Sequence, residues 1–207
     1  MATLVKLRWR TPHDKDAKSE DKKPHKEGES FYVLNTHYDH IGLKAREESS
    51  KLILYKLRSL MKDKINGKPP LIIMTGDLNS PPDEEGYQTI TGHRYAKVNG
   101  RADPDSFYDT RHELLTRGNH TGLPLQRKMY GTNSTFTDFT LYGYRKGYNI
   151  DFVLVADNGA VKDASGKGDG EWAVTRAGVL PNWVEDGQYR FRLSDHNMVT
   201  ALLTKSA

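Results

Sequence analysis

The stretch that most constrains the fold is LIIMTGDLNS, residues 71–80. Its first four residues are apolar without polar alternation, and Pro69-Pro70 comes directly before them. A short unbroken apolar run between turn signals is typical of a strand that is covered on both faces. We therefore expect a buried strand over 71–77, which leads into a glycine, an acid and an amide.

Strand and helix signals alternate ahead of this segment. Residues 3–9 and 31–37 have strand patterns, and we expect them to pair antiparallel across their connection. That connection, residues 11–30, is rich in Lys, Asp and Glu and is predicted as a flexible charged loop. Residues 45–64 are predicted as a helix, because apolar side chains recur there at helical spacing. Those side chains are Ile53, Leu54, Leu57, Leu60 and Met61.

The segment after the central strand has the signals of a short helix. Ser80 is expected as its N-cap and Pro81 as its first residue, with an end near Ile90. The remainder is predicted as a short helix over 109–116, a loop over 117–133, and strands over 134–139, 149–156, 173–180 and 196–204. We expect an α/β (α+β) fold, a mostly antiparallel sheet with flanking helices.

Composition limits the possible function classes. With 207 residues, the chain is expected to form a single domain over 1–207, and its lack of cysteine excludes disulfides and thiolate metal sites. A net charge of +4 fits a phosphate-bearing partner, although a mixed solvated surface is the commoner reason for such a charge. No apolar run is long enough for a transmembrane segment, and the N-terminus does not resemble a signal peptide, so the compartment stays open.

Four polar clusters each follow or begin an apolar strand. Taken singly, Asp77 and Asn79 fit turn residues, His37 a buried histidine, and Asp151 the partner of an arginine. Together they place chemically able side chains at strand ends, where a scaffold holds them rigidly. The clusters are Asn35-Thr36-His37-Tyr38-Asp39-His40, Gly76-Asp77-Leu78-Asn79, Asn149-Ile150-Asp151 and Ser194-Asp195-His196.

The residue types in these clusters indicate one kind of chemistry. A histidine beside an aspartate is typical of an oriented imidazole that moves a proton near neutral pH. Carboxylates and amides suit a hard divalent cation, and amides also donate to phosphoryl oxygens. Metal-assisted attack of water on a phosphate ester is the chemistry that uses all of them.

The segments NTHYDH, GDLNSPP, NIDFVLV and LSDHNMV resemble, in order and spacing, the endonuclease/exonuclease/phosphatase superfamily, the deoxyribonuclease I-like hydrolases. The resemblance implies a four-layer α/β sandwich, of which this chain matches the C-terminal half. It also implies that the domain lacks an N-terminal half, with its Asn and its main Mg²⁺-binding Glu. We therefore expect weakened Mg²⁺ binding and an uncovered sheet face that invites self-association.

The resemblance implies roles for individual residues. His37 would bind the scissile phosphate, and Asp77 would activate water or act on the leaving oxygen. Asn79 would hydrogen-bond the phosphate, and Asp195 would hold Mg²⁺ or Mn²⁺. His196, partnered by Asp151, would be a general base or a charged stabiliser of the transition state.

Substrate contacts are harder to predict. Asn35 and Asp39 lie on the His37 segment and are expected to face the substrate. Tyr144 and Arg145, in LYGYRKGY, fit either a substrate-contacting loop or a solvated aromatic turn.

Two functions follow from these expectations. One is a Mg²⁺-dependent phosphoric ester hydrolase, either a phosphodiesterase (nuclease) or a phosphatase, acting on nucleic acid, a nucleotide or a phospholipid headgroup. The alternative is a non-catalytic remnant that binds phosphate-bearing ligands, nucleic acid or a partner chain. Specificity lies in loops, so the sequence leaves the substrate undecided.

Overall fold

A computed structural model describes residues 1–9, 29–95, 105–114, 132, 148–162, 169–180, 183–186 and 189–206. Within these ranges the elements follow the order β1 (Ala2–Arg8), β2 (Ser30–His37), α1 (Leu43–Lys62), β3 (Leu71–Asp77), α2 (Glu85–Ile90), β4 (Phe107–Asp109), β5 (Asp151–Ala156), β6 (Trp172–Leu180), β7 (Trp183–Asp186), β8 (Tyr189–Arg192) and β9 (Met198–Lys205). Residues 110–114 are also helical. None of the described helices is both long and apolar enough to cross a bilayer.

The largest sheet has the order β1-β2-β3-β5-β4. Strands β1 and β2 pair antiparallel, as the sequence predicts, while α1 carries the chain across so that β3 pairs parallel to β2. Strand β5 runs antiparallel to both β3 and β4. Two further antiparallel pairs, β6-β9 and β7-β8, complete a mixed α/β fold in which antiparallel pairing predominates.

Strand β3 lies between two apolar layers, which explains its unbroken apolar sequence. On one face, Met74 and Ile72 are fully buried against Ile53, Leu57 and Met61 of α1. On the other face, a smaller cluster joins the large sheet to β6 and β9; its members include Leu71, Val155, Val161, Val174 and Leu203. Burial of apolar area on both sides is the main force that fixes β3 at the centre.

Gly76 lets β2 and β3 approach at the end of the sheet. Its φ is +148°, and a Cβ atom there would lie 1.9 Å from the carbonyl oxygen of Thr36 on the neighbouring strand. Only glycine is compatible with this contact. The parallel register then continues for one more residue, so that His37 lies directly beside Asp77.

Helix α2 begins later than the sequence predicts. Its first residue is Glu85 and its N-cap is Glu84, so the prediction of Ser80 as N-cap and Pro81 as first helical residue was wrong. The buried Ser80 hydroxyl nevertheless accepts a hydrogen bond from the backbone N–H of Tyr87, the third residue of α2. A tertiary contact thus satisfies an amide that a local cap usually serves.

Several predictions of local structure fall beyond the reach of the structure. Most of the 11–30 loop, most of the 117–133 loop and the strand over 134–139 lie outside the described residues. Of the residues that are described, Leu4, Val5 and Leu7 of β1 are exposed. Self-association through an uncovered sheet face stays a prediction.

Candidate active site

Three neighbouring strands bring polar side chains to one end of the sheet. The parallel β2-β3 register places His37 beside Asp77, and the antiparallel β3-β5 register places Asp77 beside Asp151. His196 lies two residues before β9 and approaches the same group from the second sheet. The side chains are therefore positioned by register and not by proximity in sequence.

The imidazole of His196 bridges two carboxylates. Its Nδ1 lies 2.9 Å from Oδ2 of Asp151, and its Nε2 lies 3.8 Å from Oδ2 of Asp77. Asp77 is only 15% exposed at its side chain, whereas His37, whose Nε2 is 3.5 Å from the same Asp77 oxygen, is 71% exposed. The site thus has two partly buried carboxylates, Asp77 and Asp151, and one histidine, His37, that extends into solvent.

Hydrogen bonds of the Asp77 and Asn79 side chains stabilise the loop that follows β3. The backbone N–H of Asn79 donates to Oδ1 of Asp77 at 2.7 Å, and Asn79 itself has a φ of +44°, a conformation that asparagine tolerates better than most residues. The Asn79 amide nitrogen donates to the carbonyl oxygen of Tyr38 at 3.1 Å and lies 3.1 Å from Nε2 of His37. The Gly-Asp-Leu-Asn motif therefore ties β3 to the segment after β2.

Electrostatics favour a protonated His196. Partial burial acts to lower the pKa of the imidazole, but the hydrogen bond to Asp151 and the charges of Asp151, Asp77 and Asp195 outweigh it and raise the pKa overall. Burial also raises the pKa of the Asp151 carboxyl, against the hydrogen bond from His196. A raised pKa of His196 favours the charged form of the pair, whereas a raised pKa of Asp151 disfavours it. The direction that the geometry supports is the raised pKa of His196, because a carboxylate lies within 4 Å of each ring nitrogen.

The same three side chains offer a ligand set for a divalent cation. Asp77, Asp151 and His196 each present a ligand atom, and these atoms lie within 4.8 Å of one another. Two carboxylates fit a hard cation such as Mg²⁺, which commonly takes one or two carboxylates and keeps several waters. The sequence predicts Asp195 as the metal ligand, but Asp195 does not belong to this group. Its Oδ1 lies 3.5 Å from the Ser194 hydroxyl.

The predicted substrate contacts have different surroundings. Asn35 lies on β2 in register with Thr75, whose hydroxyl donates to the Asn35 side chain at 3.0 Å. Asp39 accepts hydrogen bonds from the N–H groups of Ile41 and Gly42, so one of its oxygens builds the turn into α1. Tyr144 and Arg145 lie outside the described residues.

Two residues near the site are not identifiable from the sequence. Thr132 is fully buried, and its hydroxyl accepts the backbone N–H groups of Ile150 and Asp151. Arg111 donates from Nη1 to the Asn149 side chain at 3.1 Å. Neither belongs to a local pattern that signals a site, since a lone threonine among Gly and Asn and an arginine in a helical segment are both ordinary.

Solved structures of other proteins have a similar fold, whereas comparisons of the sequence found no match. No protein-family model matches the sequence, and no curated protein matches it. Among solved structures, a mannosyl-6-phosphatase from Bacteroides thetaiotaomicron matches 86% of this chain and 52% of its own, with 24% identity and a TM-score of 0.53. An endonuclease/exonuclease/phosphatase family protein from the same organism gives 22% identity, a TM-score of 0.51, and coverage of 86% and 51%.

A truncated TDP2 from Caenorhabditis elegans is also similar in structure, with 18% identity, a TM-score of 0.52, and coverage of 86% of this chain and 56% of that one. The chain thus spans about half the length of the structures it matches. At these identities the similarity establishes the fold, which is that of the endonuclease/exonuclease/phosphatase proteins. The resemblance predicted from the four motifs is confirmed at that level.

Proposed function

We propose that this chain, which has the fold of endonuclease/exonuclease/phosphatase proteins, hydrolyses a phosphate ester with activated water and a divalent cation. The observation that carries the proposal is the contact of His196 with Asp151 and its approach to Asp77 at three strand ends. A histidine held between two carboxylates, with a second histidine and an amide beside it, is suited to proton transfer and phosphoryl-oxygen stabilisation.

The geometry of each side chain supports a proposed role. Asp151 holds His196 through Nδ1, so that Nε2 faces the site and donates to a phosphoryl oxygen. Oδ2 of Asp77 accepts a proton from the attacking water. The water oxygen forms a bond to phosphorus, and the bond to the leaving oxygen breaks as that oxygen takes up a proton from solvent water; Asp77 then releases the proton that it accepted to solvent. His37 and the Asn79 amide contribute further donors to the phosphate.

The carboxylates of Asp77 and Asp151 would hold Mg²⁺ or Mn²⁺, with Asp195 as a further proposed ligand. The ring nitrogens of His196 are engaged by Asp151 and by the phosphoryl oxygen in the proposed reaction, so His196 is not assigned as a ligand. Bound there, the cation supplies Lewis-acid polarisation of the phosphoryl group. The described ligand set is small, which supports weak binding of the metal by this chain alone. The substrate class proposed is a phosphate ester: a nucleic acid, a nucleotide, a sugar phosphate or a phospholipid headgroup.

A second candidate is a chain that binds phosphate-bearing ligands, nucleic acid or a partner chain without turnover. What favours it is the small described ligand set, which offers few ligand atoms to hold a cation through turnover. The two candidates differ in turnover and share the site.

The test is hydrolysis of bis-p-nitrophenyl phosphate, p-nitrophenyl phosphate and supercoiled plasmid by the purified chain, with Mg²⁺ or Mn²⁺ and with EDTA. The variants are His196→Ala and Asp77→Asn. Asp63→Asn is the matched control, since Asp63 is an exposed carboxylate at the end of α1. We expect metal-dependent cleavage that the two site variants lose and the control keeps.

A folded chain that cleaves none of the three substrates with either metal would overturn the hydrolase proposal. Retained Mn²⁺ binding in calorimetry, lost in Asp77→Asn, would then favour the binding function. Cleavage that persists in His196→Ala would contradict the assignment of the site.

A further inference from the structure

One buried residue lies behind the His196–Asp151 pair and contacts the segments that carry both of its members. Thr132 is 0% exposed, and it comes from a part of the chain 19 residues before Asp151. No sequence motif includes it, and the proposed reaction assigns it no step. Its contacts nevertheless concentrate on the backbone around the two site residues.

The Thr132 hydroxyl serves the strand that carries Asp151. Oγ1 accepts from the N–H of Ile150 at 2.9 Å and from the N–H of Asp151 at 3.0 Å. It also lies 3.2 Å from the carbonyl oxygen of Tyr148, to which it can donate. The hydroxyl therefore accepts from two consecutive N–H groups where β5 begins. Its single proton serves either the Tyr148 carbonyl or the Asp151 carboxylate, whose pKa is raised by burial while a hydrogen bond from Thr132 acts to lower it.

The Thr132 backbone serves the same strand and the segment after His196. Its N–H donates to the Tyr148 carbonyl at 2.9 Å, and its carbonyl accepts from the N–H of Asn197 at 2.7 Å. These backbone bonds survive any change of side chain. Replacement of the side chain alone therefore isolates the hydroxyl from the rest of the bridge.

We infer that Thr132 is a positioning residue, whose hydroxyl fixes the backbone of Ile150 and Asp151 so that the Asp151 carboxylate meets Nδ1 of His196. The inference rests on the proposed function for its effect on turnover. Without the hydroxyl, two N–H groups lose their acceptor, and Ile150 is buried away from water. Such groups relax toward other partners, because an unpaired buried amide is costly. That relaxation moves the carboxylate.

The test compares Thr132→Ser, which keeps the hydroxyl, with Thr132→Val, which replaces it at nearly the same volume. Long-range proton–nitrogen NMR correlations report the protonation and hydrogen bonding of each ring nitrogen of His196. We expect the His196 nitrogen shifts of Thr132→Ser to match the wild type. Those of Thr132→Val should move toward the shifts of Asp151→Asn, in which the partner carboxylate is removed.

Thr91→Val is the matched control, because Thr91 is also fully buried. Its hydroxyl donates to the carbonyl oxygens of Tyr87 and Gln88 in α2, away from the site. It should leave the His196 shifts unchanged. If hydrolysis is observed, Thr132→Val should lower kcat about 10- to 100-fold with little change in KM, and Thr132→Ser should restore it.

Wild-type His196 shifts in a folded Thr132→Val protein would overturn the inference. The NMR comparison needs no substrate, so it stands even if the chain proves inactive. Loss of activity without any change in the His196 shifts would also contradict a positioning role, since the proposed effect acts through that contact.

Discussion

Nδ1 of His196 lies 2.9 Å from Oδ2 of Asp151, across 45 residues of sequence. The contact joins the start of β5 to the segment before β9, so it links the two sheets at the site. It also fixes the ring orientation, with Nδ1 toward Asp151 and Nε2 toward Asp77. The orientation of a catalytic imidazole is set by the partner of its other nitrogen.

Replacement of Asp151 should show how far the proposed activity depends on the charge beside His196. Asp151→Asn keeps the size of the side chain and an acceptor oxygen, but it removes the negative charge that favours a protonated Nδ1. We expect the proposed phosphate-ester hydrolysis to fall by about 10²- to 10⁴-fold with little change in thermal stability. Steady-state kinetics beside circular dichroism melts measure both quantities. Hydrolysis within twofold of the wild type would show that the pair does not act in turnover.

The close approach of β2 and β3 should make Gly76 irreplaceable. In Gly76→Ala the new Cβ meets the Thr36 carbonyl oxygen, and the positive φ adds strain. We expect a loss of at least about 3 kcal/mol in the free energy of unfolding, measured by urea denaturation. Gly178→Ala on β6 is the control, since a Cβ there meets nothing within 4 Å. Equal stabilities of the two variants would contradict the argument.

Buried tyrosines should set the alkaline limit of stability. Burial raises the pKa of Tyr38 to about 12, against its hydrogen bond with Ser50. Burial, followed by the charge of a neighbouring acid, also raises the pKa values of Tyr87 and Tyr95. A folded pKa above the unfolded value near 10 contributes stability that is complete below about pH 10 and is lost as the pH rises toward 12.

An absorbance titration of tyrosinate should therefore show two phases. Phenols in contact with solvent ionise at about pH 10, so the first phase should leave the circular dichroism unchanged. The buried tyrosines should ionise in a steeper step that coincides with unfolding. A single gradual titration with intact circular dichroism throughout would refute the assignment.

The buried arginine of α1 should depend on its partner. Arg46 is 6% exposed at its side chain, and its Nη2 donates to Oε2 of Glu84 at 2.7 Å. Glu84→Gln leaves a buried guanidinium without its countercharge, and we expect a loss of about 1–3 kcal/mol in the free energy of unfolding. Glu48→Gln on the same helix removes an exposed pair with Lys44 and should change little. Equal denaturation midpoints for the two variants would refute this difference.

Local patterns predicted the elements whose burial is regular. The apolar run of β3 and the helical spacing in α1 each follow from burial, on two faces for β3 and on one face for α1. The alternation of β1 also predicted a strand, although the residues of β1 are exposed in the structure. The short strands β4, β7 and β8 escaped prediction, because three or four residues carry too little periodic signal. Ser80 was misplaced as an N-cap because the hydroxyl serves α2 through a tertiary contact instead of a local one.

The sequence by itself identified the candidate site residues His37, Asp77, Asp151 and His196. Each lies in a short unbroken motif, and the order of the four motifs matches a known fold. Only the tertiary structure decided which of them meet. Strand register placed Asp77 beside Asp151, and the segment before β9 brought His196 to both carboxylates. Thr132 entered the site's surroundings through backbone contacts. Such contacts join distant segments and depend on how strands pair, which no local pattern encodes.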